Sequence, residues 1–212
     1  DELLGVLNKQ KGKIIVTSGP TYEEIDDVKV VTNKSSGKQG KALAIELSAR
    51  GYEIIYIHSA SIDHIPGLDN VSFHSSNDLK NKILENINNT DAIFMTAAVS
   101  DFTVKKSSGK ISRSNGNITL EFIPNEDIIA SIKTSYPEIK CIAFSAQVDD
   151  ELNFNKINTK NVDYLVINNI LKNKFGSDTN KVSIIDQQHL IFESEELDKN
   201  EISRDILNAL EY

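Results

Sequence analysis

Short β-branched runs alternate with stretches of helical period along this chain, and no other feature narrows its possible folds as much. Lys13 to Thr17 (KIIVT) reads as a buried strand closed by the turn residues Ser18-Gly19-Pro20. Gly37 to Arg50 then carries Ala42, Leu43, Ile45, Leu47 and Ala49 among polar residues, a helical repeat that Gly51 ends as a C-cap. Glu53 to His58 (EIIYIH) is the second strand, Asn77 to Ile87 a helix capped by Asn77 or Asp78, and Asp91 to Ala97 (DAIFMTA) the third strand. A helix over Asn125 to Tyr136, a strand over Cys141 to Ser145 and a helical stretch with Lys156 and Lys160 follow. A strand over Tyr164 to Asn168 and a closing helix over Asp198 to Leu210 complete the series. Such alternation implies parallel strands joined by right-handed crossovers with helices on both faces. The predicted fold is α/β, a Rossmann-like, doubly wound and mostly parallel sheet. Two segments break the pattern and read as β-hairpin insertions: Lys110 to Ile123, turning at Ser114-Asn115-Gly116-Asn117, and Val182 to Phe192, turning near Gln187-Gln188.

A length of 212 residues suits one substantial core, so a single domain over 1–212 is expected, with a linker-like first segment over 1–12. The longest apolar runs fall well short of the ~20 residues that span a bilayer. The first residues lack a secretory leader's pattern, and the single cysteine, Cys141, forms no internal disulfide. A cytoplasmic location is therefore expected. A net charge of −8 argues against broad binding to nucleic acid, which needs a basic face. An anionic ligand must instead meet locally concentrated lysines. The start at Asp1 leaves open a longer parent polypeptide.

Ligands of open parallel sheets bind beyond the carboxyl ends of the strands. After the first strand come Ser18-Gly19-Pro20-Thr21 and the loop Lys34-Ser35-Ser36-Gly37-Lys38-Gln39-Gly40, whose small residues let backbone amides reach a phosphate at a helix start. An ordinary helix cap gives the same Ser-Ser-Gly. Neither G-x-G-x-x-G after the first strand nor G-x-x-x-x-G-K-[ST] occurs, so standard dinucleotide and Walker-type sites are not indicated. The third strand runs into Ala97-Ala98-Val99-Ser100-Asp101, where small residues admit a base or ribose, Asp101 offers a carboxylate, and Lys110 follows as a mobile cation. A turn cap at Asp101 and a solubilising lysine at 110 are the plain alternatives. Lys156 and Lys160, four apart, share a helix face, where like charges repel unless an anion lies between them; coincidence competes with that reading. The four histidines lack metal-ligand spacing, and Cys141 reads as a buried, inert thiol.

Taken in order, IIVTSGPTYEEIDDVKVVTNKSSGKQGKALA (14–44), TAAVSDF (96–102), KI (110–111), NEDII (125–129), AFSAQ (143–147), KINTKNVDYLVINN (156–169) and FGSDTNKVSII (175–185) closely resemble phosphopantothenoylcysteine synthetase, or phosphopantothenate-cysteine ligase, of the bacterial type. The resemblance implies condensation of CTP with 4′-phosphopantothenate to an acyl-cytidylate, releasing pyrophosphate. L-cysteine then displaces CMP, a step in coenzyme A biosynthesis. It also implies Mg2+, a homodimer, and frequent fusion to a flavin-dependent phosphopantothenoylcysteine decarboxylase. By position, Asn33 matches the asparagine that holds the acyl-cytidylate, and Lys110 the lysine that neutralises the triphosphate. Gly19, Thr21, Lys29, Ser35, Ser36 and Gly37 fall on the substrate side. Ala98, Asp101, Asn125, Glu126, Asp127, Ile128, Phe144, Lys156 and Lys160 fall on the nucleotide side. Lys29 stands for an arginine, Glu126 for a proline and Gln147 for a glutamate, and Ser112-Arg113 for a lysine pair, while Ser18-Gly19-Pro20 replaces a Gly-Gly turn. Two rivals are a nucleotide-binding module without ligase activity and an NAD(P)-dependent reductase using the Tyr136 and Lys140 spacing, which Pro137 disfavours.

Overall fold

The computed structural model describes residues 11–148, 152, 154–169 and 177–212. Its centre is a sheet of β1 (Lys13–Ser18), β2 (Glu53–Ser59), β3 (Asp69–Phe73), β4 (Ala92–Met95), β5 (Lys140–Gln147), β6 (Tyr164–Asn169), β7 (Val182–Ile185) and β8 (Leu190–Glu193). In space the strands run β3-β2-β1-β4-β5-β6-β7-β8. The strands from β3 to β6 in that order are parallel, whereas β7 runs antiparallel to β6 and β8 to β7. The order reverses between β1, whose crossover leads to β2 on one side, and β4, whose crossover leads to β5 on the other. That pair is the topological switch point, where doubly wound sheets open a crevice.

The described helices are α1 (Lys38–Ala49), α2 (Ser76–Asn86), α3 (Ile128–Ser135), α4 (Phe154–Lys160) and α5 (Lys199–Ala209). Because strand side chains alternate between faces, each strand feeds two cores. Ile14, Val16, Tyr56, Phe94 and Val166 pack with Leu43 and Leu47 of α1 and Ile202 and Ile206 of α5. Ile15, Ile57, Ile93, Cys141 and Leu165 pack with Leu79 and Ile83 of α2, Ile129 and Ile132 of α3, and Ile157 of α4. Burial of Cys141 pushes its thiol up to about 12, as an inert core residue requires.

Several boundaries differ from the expectation for identifiable reasons. Ser75, rather than Asn77 or Asp78, caps α2: its Oγ accepts from the Asp78 amide at 3.2 Å. The five-residue β3 carries one fully buried apolar residue, Phe73, so its signal in the sequence is faint. Lys110 to Ile123 does not form its own hairpin. Instead Phe102–Val104 pairs antiparallel with Phe122–Pro124, and a 3-10 turn at Arg113–Asn115 lies between them. The Phe102 and Phe122 rings meet edge to face at 6.5 Å and close the ribbon. The second hairpin, β7 with β8, forms as expected. A further ribbon pairs Tyr22–Glu24 with Val30–Thr32. Phe175 and Gly176 of the last matching stretch, and most of the linker-like first segment, lie outside the described residues.

Candidate functional site

A cavity of about 850 Å³ opens over the carboxyl ends of β1, β4, β5 and β6, within the range of small-molecule sites. Its wall comprises the 32–40 loop with the start of α1, the 95–101 turn after β4, residues 125–129 leading into α3, the end of β5, Lys156 and Lys160 of α4, and Asn168, Thr179, Asn180 and Lys199. The lysines among these are Lys34, Lys38, Lys156, Lys160 and Lys199, against the carboxylates Asp101, Glu126 and Asp127. A chain of net charge −8 thus sets five lysines around one concavity.

The floor is fixed by backbone-directed bonds. Asn33 Nδ2 donates to the Ala98 carbonyl at 2.9 Å, Asn125 Nδ2 to the Ser100 carbonyl at 2.8 Å, and the Ser100 amide to Thr21 Oγ1 at 3.0 Å. The Ala98 amide donates to the Gly19 carbonyl at 2.9 Å, so the turns after β1 and β4 hold each other. Gly37 takes a φ of 70°, and its carbonyl accepts from Ser18 Oγ at 2.8 Å. Gly40 is required by space: a Cβ there would lie 2.7 Å from Ser18 Oγ. Gly37 supplies no capping side chain to α1, whose N-terminal end faces the cavity with its partial positive charge.

The cationic wall is held differently. Lys156 donates to Ser145 Oγ at 2.7 Å, and Lys160 pairs with Asp127 at 2.7 Å. Asp127 also caps α3, accepting from the Ala130 amide at 3.2 Å. Lys80 pairs with Glu126 at 2.6 Å and holds that carboxyl below its usual range. Burial, with Lys38 nearby, pushes the Lys199 ammonium below its ordinary value.

Of the residues singled out by sequence, Asn33, Ser35, Ser36, Gly37, Ala98, Asp101, Asn125, Glu126, Asp127, Ile128, Phe144, Lys156 and Lys160 line this cavity. Gly19 and Thr21 lie just beneath it through the bonds above. Lys29 and Lys110 are outside it. Lys29 pairs with Asp26, whose side chain is fully buried and whose Oδ1 accepts from the Val28 and Lys29 amides at 2.8 and 2.7 Å. Asp26 Oδ2 accepts from the Ile111 amide at 2.8 Å, and Lys29 donates to the Ile111 carbonyl at 3.3 Å. Lys29 holds the Asp26 carboxyl well below the usual range. Lys110 stands next to that anchor, exposed to solvent. The reductase pair is also elsewhere: Tyr136 ends α3, and Lys140 Nζ lies over the Tyr164 and Tyr212 rings at 5.7 and 5.5 Å. Thr96, Asn168 and Asn180 lie in the matching stretches 96–102, 156–169 and 175–185 but carry no role assigned from the sequence, whereas Lys199 lies outside them; only the packing of α5 beside α1 brings residue 199 to this rim, so no local signal marks it.

Residues 9–212 match the family described as DNA/pantothenate metabolism flavoprotein C-terminal domain. The coenzyme A biosynthesis bifunctional protein CoaBC of Bacillus subtilis (strain 168) is 33% identical over 204 residues, covering 93% of this chain and 50% of that protein. A cysteine/cysteine sulfinic acid decarboxylase of an unknown prokaryotic organism is 31% identical over 211 residues, covering 93% and 57%. The chain spans about half the length of the curated relatives it matches. The crystal structure of the C-terminal domain of a CoaBC protein superposes with a TM-score of 0.76 at 28% identity, covering 95% of this chain and 96% of that one.

Proposed function

The chain belongs to the DNA/pantothenate metabolism flavoprotein C-terminal domain family, and from that premise we propose that it is the ligase joining 4′-phosphopantothenate to L-cysteine in coenzyme A biosynthesis. A carboxylate oxygen of phosphopantothenate attacks the α-phosphorus of CTP, the bond to the β-phosphate oxygen breaks, and pyrophosphate leaves. The cysteine amine then attacks the acyl carbonyl, the bond to CMP breaks, and the amine gives up a proton. The observation that carries this reading is the convergence of Asn33, Ala98, Asp101, Asn125, Lys156 and Lys160 on one cavity at the switch point.

Each residue has work suited to its chemistry. Lys156 and Lys160 set positive charge beside the departing pyrophosphate, where charge builds as the bond breaks. The small Ala98 leaves space at the strand end for the cytidine, and the Phe144 ring offers it a flat face. Asn33 faces the acyl-cytidylate with an amide already oriented by Ala98. Among the described residues no three His, Cys, Asp or Glu side chains cluster as a metal site. The Asp101 carboxylate on the cavity wall suits Mg2+ carried on the triphosphate, which needs only one or two carboxylates. Asp101 would hold the ion there, where it would neutralise phosphate oxygens. The same reading carries a homodimer, a cytoplasmic location and a flavin-dependent decarboxylase as fused or associated partner. No described helix is long and apolar enough to cross a membrane.

Pyrophosphate release is expected only when CTP and phosphopantothenate are both present, with phosphopantothenoylcysteine appearing on addition of L-cysteine. Parallel runs with ATP measure the nucleotide preference. Release that does not depend on phosphopantothenate, or binding of CTP with no turnover, sinks the proposal; the latter leaves a nucleotide-binding module.

A further inference from the structure

Lysines reach the cavity from both faces of the sheet. Lys156 and Lys160 come from α4, on the face that carries α2 and α3, whereas Lys38 and Lys199 begin α1 and α5 on the opposite face. The second pair is bound into one cluster by Ser177 and Asp178. Asp178 accepts from Lys38 Nζ at 2.6 Å through its carboxylate and from the Lys199 amide at 3.0 Å through its carbonyl, while Lys199 Nζ donates to the Ser177 carbonyl.

The two partners of this cluster are unequal. Lys38 meets a carboxylate that is 87% exposed, a surface pair of little net strength that an incoming anion displaces at small cost. Lys199 is more deeply placed, and among the described residues no carboxylate lies within ion-pair distance of it. A half-buried ammonium held by a carbonyl oxygen beside a second ammonium is electrostatically unfavourable, as its lowered pKa records. At the end of the cavity made by α1 and α5, two ammonium groups thus lie beside the Asp178 carboxylate, and Lys199 has no carboxylate at ion-pair distance among the described residues.

We infer that Lys199, with Lys38, binds the terminal phosphate monoester of the acyl substrate, on the opposite face of the sheet from the lysine pair that takes the triphosphate. This rests on the ligase reading above and deepens it. A phosphate monoester carries close to two negative charges at neutral pH and several acceptor oxygens, which matches two ammonium groups and the positive end of α1. Lys199 is thereby a specificity-determining residue: it selects the phosphorylated acid over the same acid with a free hydroxyl.

The test compares wild type with Lys199→Gln and Lys199→Arg. In turnover, Lys199→Gln should raise KM for phosphopantothenate by at least about tenfold, the loss of one charged hydrogen bond, and leave KM for CTP within about twofold. Lys199→Arg should recover most of the loss. Titration calorimetry of phosphopantothenate without nucleotide should find Kd weakened by the same factor, and pantothenate bound equally poorly by wild type and Lys199→Gln. A rise confined to the KM of CTP, or an unchanged KM and Kd for phosphopantothenate, overturns the assignment. Calorimetry needs no chemistry, so a wild type that binds the phosphate ester through Lys199 but releases no pyrophosphate would refute the ligase reading alone.

Discussion

The floor of the cavity and the strap beside it carry residues of equal promise in the sequence, yet they are built on opposite plans. At the floor, the Asn33 and Asn125 side chains are locked to the Ala98 and Ser100 carbonyls, and the Ser100 amide to the Thr21 hydroxyl, so the turns after β1 and β4 are tied together. In the strap after Phe102–Val104, Lys110 is exposed to solvent although the backbone on both sides of it is anchored, the Gly109 amide to Asp27 Oδ2 at 3.0 Å and the Ile111 amide to Asp26 Oδ2 at 2.8 Å. The contrast teaches that neutral groups, which need direction, are set by the fold itself. Long flexible cations act at longer range and can be brought in by the ligand they serve.

Asn33→Asp should strike the floor hardest. The replacement turns an acceptor toward the Ala98 carbonyl, and turnover should fall about 10²- to 10³-fold, the scale for loss of one oriented donor. Rapid-quench mass spectrometry should find acyl-cytidylate formed but slow to react with cysteine; undiminished turnover would mean that the floor's order is structural only. Lys160 of the cavity wall and Lys110 outside it offer a finer comparison. Lys160→Gln should raise KM for CTP about tenfold, because Lys160 already lines the cavity. Lys110→Gln should raise it by roughly threefold to tenfold if the strap is drawn inward with the nucleotide. An unchanged KM in Lys110→Gln would remove that lysine from the site. The smallest effect belongs to the rim pair Lys80 and Glu126. Lys80→Gln should change stability by at most about 1 kcal/mol at neutral pH in urea titrations. Glu126 has its carboxyl depressed in the folded state, so the pair's contribution is present above the unfolded value of about 4.3 and fades as pH falls through the lower folded value. A difference that persists in acid would point to lost packing instead.

Much of this was legible from residue order. The β-branched runs and helical repeats gave every strand and helix of the two cores except β3, whose Asp69-Asn70-Val71-Ser72-Phe73 is too polar and too short to announce a strand. Asp198 caps α5 at the start that the sequence suggested, whereas α3 begins at Ile128, capped by Asp127, three residues after the expected Asn125. The hairpin over Lys110 to Ile123 was misjudged because turn residues were visible and the distant partner of Phe122 was not. Lys199 was missed for the same reason: its meaning depends on Lys38, far away in the chain, and on a shared face that only the folded sheet creates. In both cases local propensity ran out where long-range pairing decided the outcome.

Asp26 gives the strap a mechanical property of its own. One buried carboxylate grips the turn bearing Lys29 and the amide beside Lys110, so the backbone that carries one cation is tied to the backbone that carries the other. A ligand that pulls on Lys110 also pulls on Lys29, and the two loops should respond as a single hinged piece, arriving or departing in one step.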